Sequence, residues 1–352
     1  MAATDPAAGR PGPRLAEHTT LRLGGPVRRL VVARTDDEVV DLVRDADGRG
    51  EPLLVLGGGS NLVVADEGFD GTVVRVATRG VRRSGGTVTA AAGEDWDAFV
   101  AGMVADGLAG VEALSGVPGL VGASPIQNVG AYGQDVAQTV SAVQVLDRSS
   151  GALRTLSNDE CRFTYRHSVF KGDGRYVVLD VTFELAPAAT GSPVRYAELA
   201  RHLGVGIGDR APLPDVRQAV LDLRRRKGMV LDAADHDTWS VGSFFTNPLL
   251  PAVEADRLLP AEAPRWPETD GRLKVSAAWL IERAGFDRGF ALHPDSPARI
   301  STKHTLALTN RGTASTADLL ELAAAIRAGV HERFGVVLAP EPVLVGCALP
   351  AL

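Results

Sequence analysis

The sequence predicts an α+β protein of more than one domain, and three observations carry that reading. Apolar residues alternate with period two in several segments, most cleanly over 176–185, where Val177, Leu179, Val181, Phe183 and Leu185 share one face. Helical stripes accompany these strands, the longest over 316–334 with Leu319, Leu322, Ile326, Val330 and Phe334 on one side. The third is residues 110–133, GVEALSGVPGLVGASPIQNVGAYG, whose glycines at 110, 116, 119, 122, 130 and 133 and prolines at 118 and 125 exclude a long helix or a central strand. A solvated linker is polar, yet only Glu112 is charged in this stretch. Long structureless connections inside compact chains are usually binding loops. Here the glycines let backbone approach a large flat group, and Ser115, Ser124, Gln127, Asn128 and Tyr132 offer hydrogen bonds without charge. A flat, partly polar cofactor fits this pattern, and so does a buried crossover between packed elements.

In chain order, residues 27–33 read as a strand. Thr35 or Asp36 then caps a helix with Val39, Val40, Leu42, Val43 and Ala46 on one face, ending near Gly48 and Gly50. Residues 52–56 form a buried strand that runs into Gly57, Gly58, Gly59, Ser60 and Asn61. A dinucleotide fingerprint starting at Gly57 requires glycine at 62, where Leu62 stands, and more strand follows in place of a helix. No Gly-Lys-Ser/Thr follows to make a P-loop. What remains is an anion-binding nest of main-chain N–H groups or a simple tight turn. Further strands are expected at 71–76, 87–92, 140–146, 152–156 and 176–185, with a helix at 95–106 turning Trp96, Phe99, Val100 and Met103 inward. Residues 186–192 read as a boundary, and 214–228 as a helix ending in Arg224, Arg225, Arg226 and Lys227. Those cations either complement the helix dipole or rim a site for an anionic ligand. The last third, with a short strand or turn at 241–248, a helix at 275–283, a strand at 305–309, the long helix and a strand at 336–345, completes an α+β unit.

Composition narrows the function. The chain has 352 residues, 45% hydrophobic and 23% charged, with a net charge of −6 and no basic block, which argues against nucleic acid or a membrane surface as partner. No apolar run reaches the length of a membrane span. Residues 1–14 lack the basic start and apolar core of a signal peptide and read as a disordered leader of a cytoplasmic protein. Two cysteines, Cys161 and Cys347, and seven histidines without ligand spacing point to no disulfide framework and no metal. Against 33 arginines stand four lysines, at 171, 227, 274 and 303, so each lysine hints at a place wanting a compact point charge.

Taken singly, the candidate chemical residues are ambiguous. Ser243 is not in G-x-S-x-G, since Phe245 takes the last glycine position, so a serine hydrolase is disfavoured. Arg166 lies in a polar cluster with Arg162, Tyr165 and His167, and Glu341 follows Pro340 in an apolar strand pattern, at an exposed edge or in a site.

In combination they are specific. The ordered stretches HTTLRLGG (18–25), LGGGSN (56–61), GVPGLVG (116–122), PIQNVGAYG (125–133), CRFTYRHS (161–168), GSFFTNP (242–248), STKH (301–304) and Pro340-Glu341 resemble the UDP-N-acetylenolpyruvoylglucosamine reductases over residues 15 to 346. The resemblance implies a vanillyl-alcohol-oxidase (PCMH)-type FAD-binding fold in two lobes, 15–80 and 81–230, a C-terminal substrate-binding domain over 231–346 and a tail at 347–352. It implies FAD held non-covalently by Gly57, Gly58, Gly59, Ser60, Asn61, Pro118, Gly119, Ala123, Ser124, Asn128, Gly130, Ala131, Tyr132 and Val178. It implies NADPH as reductant and UDP-N-acetylglucosamine enolpyruvate as substrate, contacted by Tyr165, Tyr196, Arg224, Lys227, Asn247 and Lys303, on a monomeric enzyme. Ser243 matches the general acid that protonates C2, with Arg166 and Glu341 stabilising the enolate formed when hydride reaches C3. Thr246 and Val343 depart from the family pattern, which has a basic residue and an arginine there. Another FAD oxidase or dehydrogenase of the same fold gives no reason for Ser243, Arg166 and Glu341 together and turns over without NADPH, and a non-catalytic sugar-nucleotide binding module would purify without yellow colour.

Overall fold

In the computed structural model of the chain, residues 12–268 and 270–352 are described; residues 1–11 of the expected leader lie outside them. The first lobe is β1 (Val27–Ala33), α1 (Asp36–Gly48), β2 (Leu53–Leu56), β3 (Leu62–Val64) and β4 (Phe69–Val76). Thr35 is the cap, its side chain accepting the Glu38 N–H, and Val39, Val40, Val43 and Ala46 are buried as their spacing requires. The crossover through α1 makes β1 and β2 parallel partners on either side of β4.

The second lobe holds β5 (Val81–Ser84), β6 (Thr87–Ala91), α2 (Trp96–Ala105), β7 (Val140–Asp147), β8 (Ala152–Ser157) and β9 (Tyr176–Glu184). These five strands form one antiparallel sheet in the order β8-β7-β9-β6-β5. The alternation read in β9 is there, but Val178 and Asp180 on its other face are buried too, because a central strand is covered on both sides. Trp96 and Phe99 of α2 pack on Phe183 at ring distances of 6.0 and 5.0 Å. Two helices, α3 (Ala197–Leu203) and α4 (Leu213–Arg226), make a small core of their own with Val194 and Ala113.

The C-terminal part contains β10 (Leu249–Pro251), β11 (Arg265–Pro267), β12 (Arg272–Val275), α5 (Ala277–Arg283), β13 (Ala298–Ile300), β14 (Leu308–Asn310), α6 (Thr316–Phe334) and β15 (Val343–Val345). The α6 stripe is buried throughout, and a Ser315–Asp318 capping box starts the helix. Residues 241–248, read as a short strand or turn, form no regular strand and make single bridges, Ser243 to Ala307 and Phe245 to Pro340. One expectation changes. The strand expected over 336–345 is regular only in β15, since Pro340 and Pro342 have no N–H to continue a ladder. That strand leaves its own domain and pairs in parallel with β3 of the first lobe, Val343 opposite Leu62.

Candidate active site

The two glycine loops meet back to back. A Cβ on Gly58 would stand 2.8 Å from Gly119 Cα, and one on Gly119, at φ +126°, 2.8 Å from Ser60 Oγ. Gly59, at φ +61°, is seated against the main chain of His18, and Thr20 N–H donates to its carbonyl at 3.1 Å. Among the described residues the N–H groups of Gly58, Gly59, Ser60 and Asn61 donate to no protein acceptor, the property of an anion nest. These loops wall one side of a cavity of about 450 Å³, lined also by Ala123, Gly130, Ala131, Tyr132, Arg166, Tyr196, Lys227, Ser243 and Glu341.

Three chain segments place the chemical residues on that cavity. Ser243 is held through its neighbour Phe244, whose N–H donates to Leu306 O at 2.7 Å and whose carbonyl accepts the Glu341 N–H at 2.8 Å. Main-chain bonds thus bring Ser243 and Glu341 together across a long stretch of sequence. Arg166 has left-handed backbone, φ +55°, as do Asn128 and Tyr132, at +46° and +49°. Strained non-glycine residues concentrate at functional sites. Its guanidinium donates to Gly130 O at 2.7 Å, and its Nε lies 3.2 Å from Glu341 Oε1. A Cβ on Gly130 would be 3.0 Å from Arg166 Nη1, so the glycine is what admits the guanidinium. Burial pushes the Glu341 carboxyl above its usual range, with Arg166 and Lys171 opposing.

The remaining expected contacts divide. At the cavity, Tyr132 and Tyr196 meet edge to face at 5.4 Å, Lys227 Nζ stands 5.7 Å from the Tyr132 ring and pairs with Glu198, and burial raises the Tyr132 hydroxyl to about 12. Arg224 also lines it, donating to Met229 O at 2.9 Å. Pro118 and Ser124 are on the wall, but the Ser124 hydroxyl donates to Val121 O. Asn128, Tyr165, Val178, Asn247 and Lys303 stand off it. Asn128 uses its side chain on Thr164 O and Ala137 N–H; Asn247 Oδ1 accepts the Ala277 N–H, and its N–H reaches the Tyr165 hydroxyl at 3.4 Å. Val178 is in the core, and Lys303 is ion-paired with Asp235. Of the departures, Val343 lines the cavity and Thr246 does not.

Two titratable lining residues went unassigned from sequence. His304 stands beside Lys227 and Arg224; burial first, then those cations, lower it to about 4, so it is neutral at pH 7. Lys171 is the other, and its signal was the scarcity of lysine.

The site fits FAD. The nest offers unpaired N–H groups to a pyrophosphate, and Asn61 Oδ1 and Arg224 Nε are buried with no hydrogen-bond partner among the described residues. Such groups in a cavity of this kind await a polar ligand.

Comparison with known proteins agrees. Residues 234–345 match the family model described as UDP-N-acetylenolpyruvoylglucosamine reductase, C-terminal domain, and residues 27–157 match an FAD binding domain. The chain is 57% identical over 349 residues to the UDP-N-acetylenolpyruvoylglucosamine reductase of Thermobifida fusca, covering 95% of this chain and 97% of that one. It is 58% identical over 346 residues to the reductase of Streptomyces coelicolor, covering 95% and 90%. The crystal structure of the reductase MurB from Thermus caldophilus superposes with a TM-score of 0.65 at 26% identity, covering 94% of this chain and 97% of that one. The architecture is therefore a PCMH-type FAD-binding fold followed by the reductase C-terminal domain, and the chain belongs to the UDP-N-acetylenolpyruvoylglucosamine reductase family.

Proposed function

We propose that this protein reduces UDP-N-acetylglucosamine enolpyruvate to UDP-N-acetylmuramate, using FAD and NADPH, as a cytoplasmic step of peptidoglycan precursor synthesis. One observation carries the reading: Ser243, Arg166 and Glu341, far apart in sequence, converge on the cavity whose facing wall is the glycine cradle. FAD would supply the hydride chemistry here, accepting from NADPH and donating to C3 of the enolpyruvyl group. Gly58 to Asn61 would hold its pyrophosphate through their N–H groups. Arg166, anchored on Gly130 O, binds the substrate carboxylate and stabilises the enolate charge. Glu341, whose carboxyl burial shifts toward the protonated form, donates a hydrogen bond to that charge, and Ser243 Oγ gives its proton to C2. Tyr196, Lys227 and Arg224, which line the same cavity, contact the sugar nucleotide. The anaerobic visible spectrum tests this. A flavin band that bleaches with NADPH and returns with the enolpyruvyl sugar is expected; a band that bleaches and does not return overturns the substrate.

Arg166→Lys is expected to slow turnover about ten- to a hundredfold, because an ammonium cannot hold Gly130 O and clamp a carboxylate with two parallel bonds. Steady-state kinetics check it, and near-normal turnover removes Arg166 from the catalytic set.

A further inference from the structure

The chemistry above leaves one cation of the cavity unused. Lys171 is half-buried on its wall, and its Nζ donates to Arg166 O at 3.3 Å and to Glu341 O at 3.1 Å. These two carbonyls lie 5 and 170 positions away in sequence. Arg166 sits in a turn closed by the Thr164–His167 bridge, and Glu341 stands between two prolines, short of β15, with its N–H on Phe244 O. The Glu341 carbonyl also receives Asn61 Nδ2 at 3.5 Å, so the cofactor cradle, the guanidinium and the carboxyl meet around one ammonium. Among the described residues Lys171 makes no ion pair of its own. Burial lowers its pKa, and its two carbonyl bonds offset the desolvation of the ammonium.

We propose that Lys171 is a positioning residue for the reduction, fixing the separation of Arg166 and Glu341 through their main-chain carbonyls. The proposal rests on the reaction proposed above. Arg166, Lys171 and Tyr165 are the titratable groups facing Glu341. The Lys171 cation favours the ionised carboxylate, so removing it moves the Glu341 pKa further up, and the neutral acid persists to higher pH. Lost registration and a raised alkaline limb are therefore separate consequences of one substitution.

The test is single-turnover kinetics on the FAD-loaded wild type, Lys171→Met and Lys171→Arg across pH, with FAD content and thermal midpoint measured alongside. Lys171→Met should keep its FAD and its reduction by NADPH within about twofold. Its reoxidation by the enolpyruvyl sugar should slow about ten- to a hundredfold, with the alkaline limb displaced upward. Lys171→Arg, which keeps the charge, should return the limb to its wild-type position. Unchanged reoxidation, an unmoved limb, or equal slowing of both half-reactions overturns the assignment. Loss of FAD or of folding in Lys171→Met, with both half-reactions slowed alike in Lys171→Arg, also overturns it in favour of a purely structural role. A wild type that is reduced but not reoxidised by the enolpyruvyl sugar instead sinks the functional reading itself.

Discussion

Ser243→Ala should leave reduction of the flavin by NADPH within about twofold of normal, while reoxidation by the enolpyruvyl sugar slows by about 10²- to 10⁴-fold, the usual contribution of a placed proton donor. The local structure makes this substitution unusually selective. Ser243 is positioned by its neighbours' main chain, through Phe244 to Leu306 and to Glu341 and through the bridge to Ala307, and none of those bonds uses the hydroxyl. Gly242, at φ +75°, turns the chain just before it and is likewise untouched. Deleting Oγ therefore removes a proton donor and leaves the frame standing. Stopped-flow absorbance of the two half-reactions reads the difference directly, and equal loss in both would assign Ser243 to cofactor binding or folding. The pH dependence follows from the same site. Glu341 is raised by burial and acts as the neutral acid, so reoxidation should be sustained below its folded pKa and fall as pH rises through it, a transition displaced above the ordinary carboxylate range.

The second large effect is at Gly59. Its φ of +61° is tolerated in alanine at modest cost, but the added Cβ, fixed rigidly to Cα, would come within 1.9 Å of His18 O, which is main chain. No rotamer relieves that overlap. The nest must open or the 18–25 segment must shift, so Gly59→Ala should purify colourless and with a lower thermal midpoint. Gly57→Ala supplies the contrast. A Cβ there meets nothing nearer than Ala123 Cβ and Leu120 Cδ1 at 3.8 Å, so stability should hold while the methyl on the cavity wall weakens FAD binding. Thermal melts of the apoproteins with FAD titrations check both, and a yellow, fully stable Gly59→Ala would remove the nest from the argument.

How far the site could be read from sequence follows the range of the forces involved. The stretches 56–61 and 110–133 carried the signal of a cofactor cradle because many glycines in apolar company are a local oddity. Strand and helix types were legible for the same reason: the α1 cap at Thr35 and the α6 stripe depend on residues three or four apart. Arg166, Ser243 and Glu341 were each ambiguous singly and became a set through the ordered motifs around them.

Several placements had no local signal. Asn128 resembled a cofactor ligand and is a structural bridge between Thr164 and Ala137, since an amide's partners depend on what folds over it. Lys303 and Lys227 are both lysines in charged surroundings, yet one pairs with Asp235 away from the cavity and the other lines it.

By itself, then, the sequence determined the α+β class, the caps, the periodic elements and the glycine cradle, all set by neighbours along the chain. Only the tertiary structure decided that β15 returns to pair with β3, that Phe244 ties Ser243 to Glu341, and that Lys171 joins Arg166 to a carbonyl 170 residues away. Those choices are made by hydrogen bonds to main-chain groups of distant segments, and a backbone N–H or C=O looks the same at every position of a sequence.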